Sequence, residues 1–243
     1  MYSLFLKEIR SFLSSLLGYV VIIVFLTVIG LFLWILPNSF NVLDFGYANV
    51  DGLFIIAPFV FLFLIPAVTM RSFSEERKSG TIELLLTRPL SDLQIVLAKF
   101  FAAFSLVIFS LFPTLIYYFS VYQLGFPVGN IDSGGFFGSF LGLLFLGATF
   151  VSVGIFTSSI TDNQVISFIV AVFISAFIYL GFEFIYSLEW FGNFDLFINS
   201  LGISAHYSSI SRGVVDTRDL VYFFSLITFF LFLTKFSLAR RKW

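Results

Sequence analysis

No charged residue occurs between Arg10 and Asp44, and a run of that length leaves few folds open. At about 1.5 Å per residue, an apolar helix over residues 18–36 crosses a hydrocarbon core of about 30 Å. Five more segments read the same way, at 53–70, 96–122, 136–160, 164–187 and 220–238. A backbone in lipid must satisfy its hydrogen bonds within the protein, so segments of this length are read as helices. Charged residues make up only 11% of the chain, against about 25% in a soluble domain. The expectation is an all-α integral membrane protein with six transmembrane helices, forming one domain over residues 1–243. Pro58 and Pro66 fall inside the second span and Pro113 inside the third. Each deletes a backbone donor, which neighbouring helices must help to replace.

Charge bias sets the orientation. Six spans put both termini on one side, together with the second and fourth loops. That side collects eleven of the 13 basic residues, leaving only Arg212 and Arg218 on the other. By the positive-inside rule the basic side is cytoplasmic.

Residues 71–99 hold nine of the 27 charged residues (13 Lys and Arg, 14 Asp and Glu). Here Gly80 breaks the chain, and Thr81 is placed to cap a short helix carrying Ile82, Leu85 and Leu86. Pro89 stops that helix, because the residue before a proline is pushed out of the α region. Ser91 and Gln94 form a capping box that starts the next helix. One reading is a solvated loop that obeys charge bias. The other is a docking element over residues 73–91, with Ile82, Leu85 and Leu86 as buried anchors and Glu75, Glu76, Arg77 and Glu83 as a charged rim. Lys99, just inside the third span, is expected to snorkel its amine to the interface.

The order Glu75-Glu76-Arg77, Gly80-Thr81, Glu83 and Leu85-Leu86, followed by Pro89, Ser91 and Lys99, resembles the permease subunits of ABC-2 type transporters. Within that group the chain is most similar to the permease subunit of the gliding-motility-associated ABC transporter. The resemblance implies a cytoplasmic coupling helix in the second loop that docks on a separate ABC ATPase subunit. It also implies a second permease copy or related membrane subunit, and short re-entrant helices on the outer side before the last span. ATP and Mg would be bound by the partner ATPase, with no cofactor in this chain. The location implied is a bacterial cytoplasmic (inner) membrane, with both termini cytoplasmic and export as the default direction.

At the start of the chain, Tyr2, Phe5, Leu6, Ile9, Phe12, Leu13 and Leu16 recur at helical spacing, with Lys7, Glu8 and Arg10 on the other side and Leu4 as the one misfit. This reads as an interfacial amphipathic helix over residues 2–16. A signal peptide is the rival, and the length of the following span argues against it. In the fourth span Gly138, Gly142, Gly147, Gly154 and Ser158 make a narrow face suited to close helix packing, read as internal packing ahead of a subunit interface. Thr161 to Gln164 reads as a turn with a second capping box. Between the last two spans, aromatic and polar residues interleave, as in short helices at the outer interface.

Candidate chemistry is sparse. No phosphate-binding G-x-x-x-x-G-K-[ST] loop is present, and there are no cysteines. A net charge of −1 gives no field for nucleic acid. The single histidine, His206, reads as a surface residue in a polar loop. Glu183, near the outer end of the fifth span, either faces a path or gate with Arg212 or Arg218, or reaches headgroup water. Two other functions remain open on sequence alone. One is a secondary carrier, which should show internal repeats and mid-membrane ionisable groups. The other is a membrane scaffold for a motility or secretion apparatus.

Overall fold

Among the residues described by the computed structural model (1–44, 46–83, 90–190, 192–213 and 215–240), six helices are long and apolar enough to cross a membrane, and there is no strand. An N-terminal helix, α1 (Tyr2–Ser14), leads into α2 (Leu16–Gly30). Ser15 separates them in an extended conformation and caps α2 by accepting the Gly18 N–H at 3.3 Å. A π-helical turn, Leu31–Ile35, completes the first span. The second is α3 (Asp51–Thr69), followed by a short α4 (Ser74–Lys78). In the third, α5 (Asp92–Leu111) passes through a 3-10 turn at Pro113 into α6 (Leu115–Leu124). Both bonds of the Ser91–Gln94 capping box start α5.

The fourth span is one long helix, α7 (Ser133–Ile160). The fifth is α8 (Gln164–Ala176), a π turn Phe177–Gly181, and α9 (Phe182–Ser187). Two short helices, α10 (Asp195–Asn199) and α11 (Ile203–Ile210), precede the sixth, α12 (Thr217–Ala239). The expected second capping box at 161–164 is replaced by a simpler cap. The α8 helix begins at Gln164, so Asn163 is its N-cap and accepts from Val165 and Ile166, while the Thr161 hydroxyl takes the Asn163 N–H at 3.2 Å.

The bundle is assembled around α7, which packs against α3, α5, α8, α11 and α12. Its apolar window is 72% buried, against 22% for the fifth and sixth spans. The glycines make this possible, and all of the close approaches are internal. A Cβ at Gly147 would lie 2.7 Å from Val107 of α5, and one at Gly138 would lie 2.7 Å from the Ile210 carbonyl that ends α11. At Gly154 it would collide with the Thr69 side chain at the end of α3.

The α1 helix departs from the simple two-faced reading. Leu4, the misfit of the apolar stripe, is buried together with Glu8, one turn on, and α1 packs on α5 and α2. Tyr2 and Leu13 remain exposed on a second face, and Lys7 and Arg10 on a third. The helix thus has a packed face, an exposed apolar face and an exposed basic face, which a single apolar stripe does not capture.

The donor lost at Pro58 is replaced by a side chain. In an uninterrupted helix the N–H at position 58 would bond the Phe54 carbonyl. Here the Tyr207 hydroxyl of α11 donates to that carbonyl at 2.8 Å. Burial pushes this hydroxyl well above the ordinary phenol range, with Tyr179 adding to the shift, so it stays a donor. A proline in α3 thereby specifies where α11 is anchored. Tyr207→Phe is expected to cost about 1–3 kcal/mol through the orphaned carbonyl. In a Pro58→Ala background the helix recovers its own donor and the cost of Tyr207→Phe should shrink. Thermal unfolding of the four proteins in detergent measures the coupling.

Candidate functional site

Where α3 gives way to α4, the chain leaves the bundle at its basic end, and four other parts of the protein converge on that junction. Ser158, near the end of α7, uses all three of its hydrogen-bonding positions there. Its hydroxyl donates to Met70 O at 2.9 Å and accepts from Phe73 N (2.9 Å) and Ser74 N (3.1 Å). A side chain from another span thus satisfies the free donors at the start of α4.

Lys99 of α5 lies beneath the same turn, with only 2% of its side chain exposed. Its ammonium has three donors and finds three acceptors: Ser72 O at 2.6 Å, Glu76 Oε1 at 3.0 Å and Glu8 Oε1 at 3.3 Å. The Phe73 ring lies 5.0 Å from it. Lys7 adds longer contacts to Glu8 (3.4 Å) and Glu76 (3.7 Å). Lys99 therefore does not snorkel. Glu8 and Glu76 come in to meet it, and one buried cation joins α1, α4 and α5. A second pair reaches the loop between α7 and α8, where Arg77 Nη1 stands 3.6 Å from Asp162 Oδ1. Beside the cluster a polar cavity of about 410 Å³ opens, lined by Lys7, Glu8, Arg71, Glu75, Glu76 and Lys99 among others.

These positions correct part of the expected rim. Glu75 and Glu83 are exposed, but the Arg77 side chain is only 2% exposed and Glu76 faces the lysine. Both are drawn inward because each has a buried or apposed counter-charge. Ile82 belongs to the chain's own core at 8% exposure and is not free to anchor a partner. Gly80 takes the left-handed conformation at φ +70°, which glycine adopts without strain. The Thr81 hydroxyl lies 2.9 Å from Ser79 Oγ, just before Ile82 and Glu83, which are in helical conformation. Leu85 and Leu86, with Arg88 and Pro89, lie outside the described residues.

At the opposite end, Glu183 pairs with neither Arg212 nor Arg218. Its carboxylate accepts from Ser204 Oγ at 2.6 Å, which ties α9 to α11. His206 is not a loop residue. It sits on α11, stacked on Tyr222 and 2.7 Å from Asp219.

A model of the ABC-2 family transporter proteins matches residues 44–238, most of the chain. The chain belongs to the ABC-2 transporter family. No curated protein matches it significantly. ABC-2 membership makes the chain a multi-pass membrane component of a transporter, and implies association with an ABC ATPase. The matched region starts after α1 and the first span, so Glu8 lies outside the ABC-2 match while its partners Glu76 and Lys99 lie within it.

Sequence reasoning missed Glu8, Asp162 and the burial of Lys99. Two signals bear on them. Glu8 lies one helical turn from the misfit Leu4, on one face, and Lys99 is the only charge within the third span beyond its first turn. Lys99→Met would leave two apposed carboxylates with only their longer contacts to the exposed Lys7. It is expected to cost about 3–5 kcal/mol, whereas Glu83→Gln at the exposed rim should stay within about 0.5 kcal/mol. Thermal unfolding in detergent separates the two.

Proposed function

We propose that this chain is the permease subunit of an ATP-driven exporter, with its basic end in the cytoplasm and a separate ATPase docked against residues 73–91. The observation that carries this reading is the buried Lys99–Glu8–Glu76 cluster beside Ser158. It holds the root of the docking segment against α1, α5 and α7 together. A force on Glu75, Glu83 and the segment that follows would then move these helices as one body rather than bending a loop. The leucines of that segment, Leu85 and Leu86, supply apolar contact with the ATPase, which binds ATP and Mg. ATP-driven closure of the ATPase pulls the platform, and the bundle rocks to open a path to the other side.

A second permease copy or a related membrane subunit completes the path. The loosely packed fifth span offers one surface for it, since Ile166, Ile169, Phe173, Phe177 and Phe184 form an exposed apolar stripe at helical spacing. Lipid covers the remaining apolar surface. The basic bias of the α4 end supports an inner-membrane protein with both termini cytoplasmic. Similarity to the gliding-motility-associated permeases supports a place in that apparatus.

Purification from native membranes in mild detergent tests this reading. An ATP-binding subunit should accompany the wild type and be lost from Leu85→Asp, with both proteins melting at the same temperature. Wild-type protein that stays folded but brings no ATPase would overturn the reading and favour an ion-coupled carrier or a scaffold.

A further inference from the structure

The end of the bundle opposite the platform holds the chain's one histidine, His206. Its Nδ1 lies 2.7 Å from Asp219 Oδ1, and its Nε2 lies 2.8 Å from the Ser200 carbonyl oxygen. The second partner can only accept, and an ionised carboxylate also only accepts. A neutral imidazole has a single N–H, so one of these short contacts would set a nitrogen lone pair against an oxygen. An imidazolium donates to both. Its surroundings suit a cation. Tyr222 stacks on the ring with centroids 3.9 Å apart and an interplanar angle of 20°. Asp219 is 5% exposed, and its Oδ2 has no hydrogen-bond partner among the described residues. The imidazolium supplies the counter-charge that a buried carboxylate needs.

We propose that His206 is a proton-operated latch: as an imidazolium it bridges Asp219 at the head of α12 and the Ser200 carbonyl after α10, and on losing its proton it releases α11. The segment it controls is the one that closes this end of the bundle. The α11 helix covers Gly138 and Gly142 of α7, gives Tyr207 to the Phe54 carbonyl, and offers Ser204 to Glu183. Tyr222 adds a second tie to the same segment by donating to Leu201 O at 2.6 Å.

The neighbouring groups leave His206 as the switch. On α12 stand Asp219, Tyr222, exposed Arg218 and the N-cap Asp216, whose carboxyl the Arg218 backbone N–H holds below the usual range. Glu183 reaches α11 from α9, Asp195 is buried on α10, and exposed Arg212 follows α11. The phenols facing α11 are Tyr179 and Tyr222, with Tyr207 on α11 itself, and α7 carries no titratable side chain. Histidine is the side-chain type whose charge ordinarily changes between about pH 5 and 8. The latched state binds a proton that the released neutral ring lacks, so latching is complete at low pH and is lost as pH rises.

Because the chain has one histidine, ¹⁵N-histidine labelling in lipid nanodiscs gives a spectrum of this ring alone. At about pH 7.5, where a free imidazole is mostly neutral, both ring nitrogens should be protonated in the wild type, and Asp219→Asn should show a neutral ring. A neutral wild-type ring at that pH overturns the proposal, whether or not any variant folds. Release is read with a thiol at Ser139, which is 4% exposed and donates to Ser211 O at 3.1 Å just beyond α11. The chain has no native cysteine, so Ser139→Cys carries the only thiol. Its reactivity with a membrane-impermeant thiol reagent, relative to exposed Ser187→Cys, should rise several-fold between about pH 6 and pH 9. The rise should vanish when His206→Gln is added. A ratio that does not change with pH, or that changes equally with His206→Gln, overturns the latch.

Discussion

An ammonium taken out of water must be surrounded by acceptors, or it costs several kcal/mol. Lys99 meets that demand by drawing the other parts of the basic end toward it. The α5 helix supplies the cation. The α1 helix must bring Glu8, α4 must bring Glu76, and the turn between α3 and α4 must aim the Ser72 carbonyl inward. None of these contributions is local in sequence, since Glu8 and Lys99 are 91 residues apart. The N-terminal helix is thereby fastened to the bundle by a charge, while Tyr2 and Leu13 on one remaining face and Lys7 and Arg10 on another stay exposed. An apolar residue at position 99 would demand no such partners. The lysine makes the convergence of these elements obligatory, and with it the position from which the charged loop departs.

The rest of the bundle relies on another constraint, the need to leave no buried backbone group unpaired. Two breaks in the second span are mended by hydroxyls from elsewhere. Tyr207 serves the carbonyl stranded by Pro58, and Ser158 serves the amides that open α4. Each repair also locates an element, α11 in one case and α4 in the other. The glycines of α7 let both reach their places. Gly138 admits the end of α11, and Gly154, one turn before Ser158, admits Thr69 at the end of α3. One span therefore holds the structures at both ends of the bundle.

Six helical spans were legible because their signal is local and repeated, an uncharged run long enough to cross lipid. The Ser91–Gln94 box and the turn at Gly80 were legible for the same reason, since a cap or a left-handed turn is decided within a few residues. The pairing of charges was not. The isolation of Lys99 in an otherwise uncharged span marks it, but does not say whether it reaches water or is met by Glu8. The rim reading of Glu76 and Arg77 failed because charge alone does not say which way a side chain faces. Leu4 was visible as an irregularity, yet it became informative only when Glu8 appeared beside it on the buried face. His206 was misread for a related reason. Its partners, Asp219 and Ser200 O, lie on either side of α11 in the chain, and only folding brings them onto one ring.

The two ends of the bundle differ in how they could yield. At the basic end the buried ammonium has every donor occupied, and Ser158 has no unused position, so a small displacement breaks several bonds at once. Such a junction transmits force instead of absorbing it. At the other end α11 and the residues flanking it are held by bonds spread over separate elements: Glu183 on α9, Phe54 O on α3, Ser139 on α7, and Asp219 and Tyr222 on α12. These ties can break in succession, and one of them depends on a proton. In the proposed transport cycle, displacement imposed at α4 would pass along α7 and open the structure where its ties are fewest. In that cycle the stiff end would receive the stroke and the segmented end would give way, an order that follows from how many bonds each junction must break together.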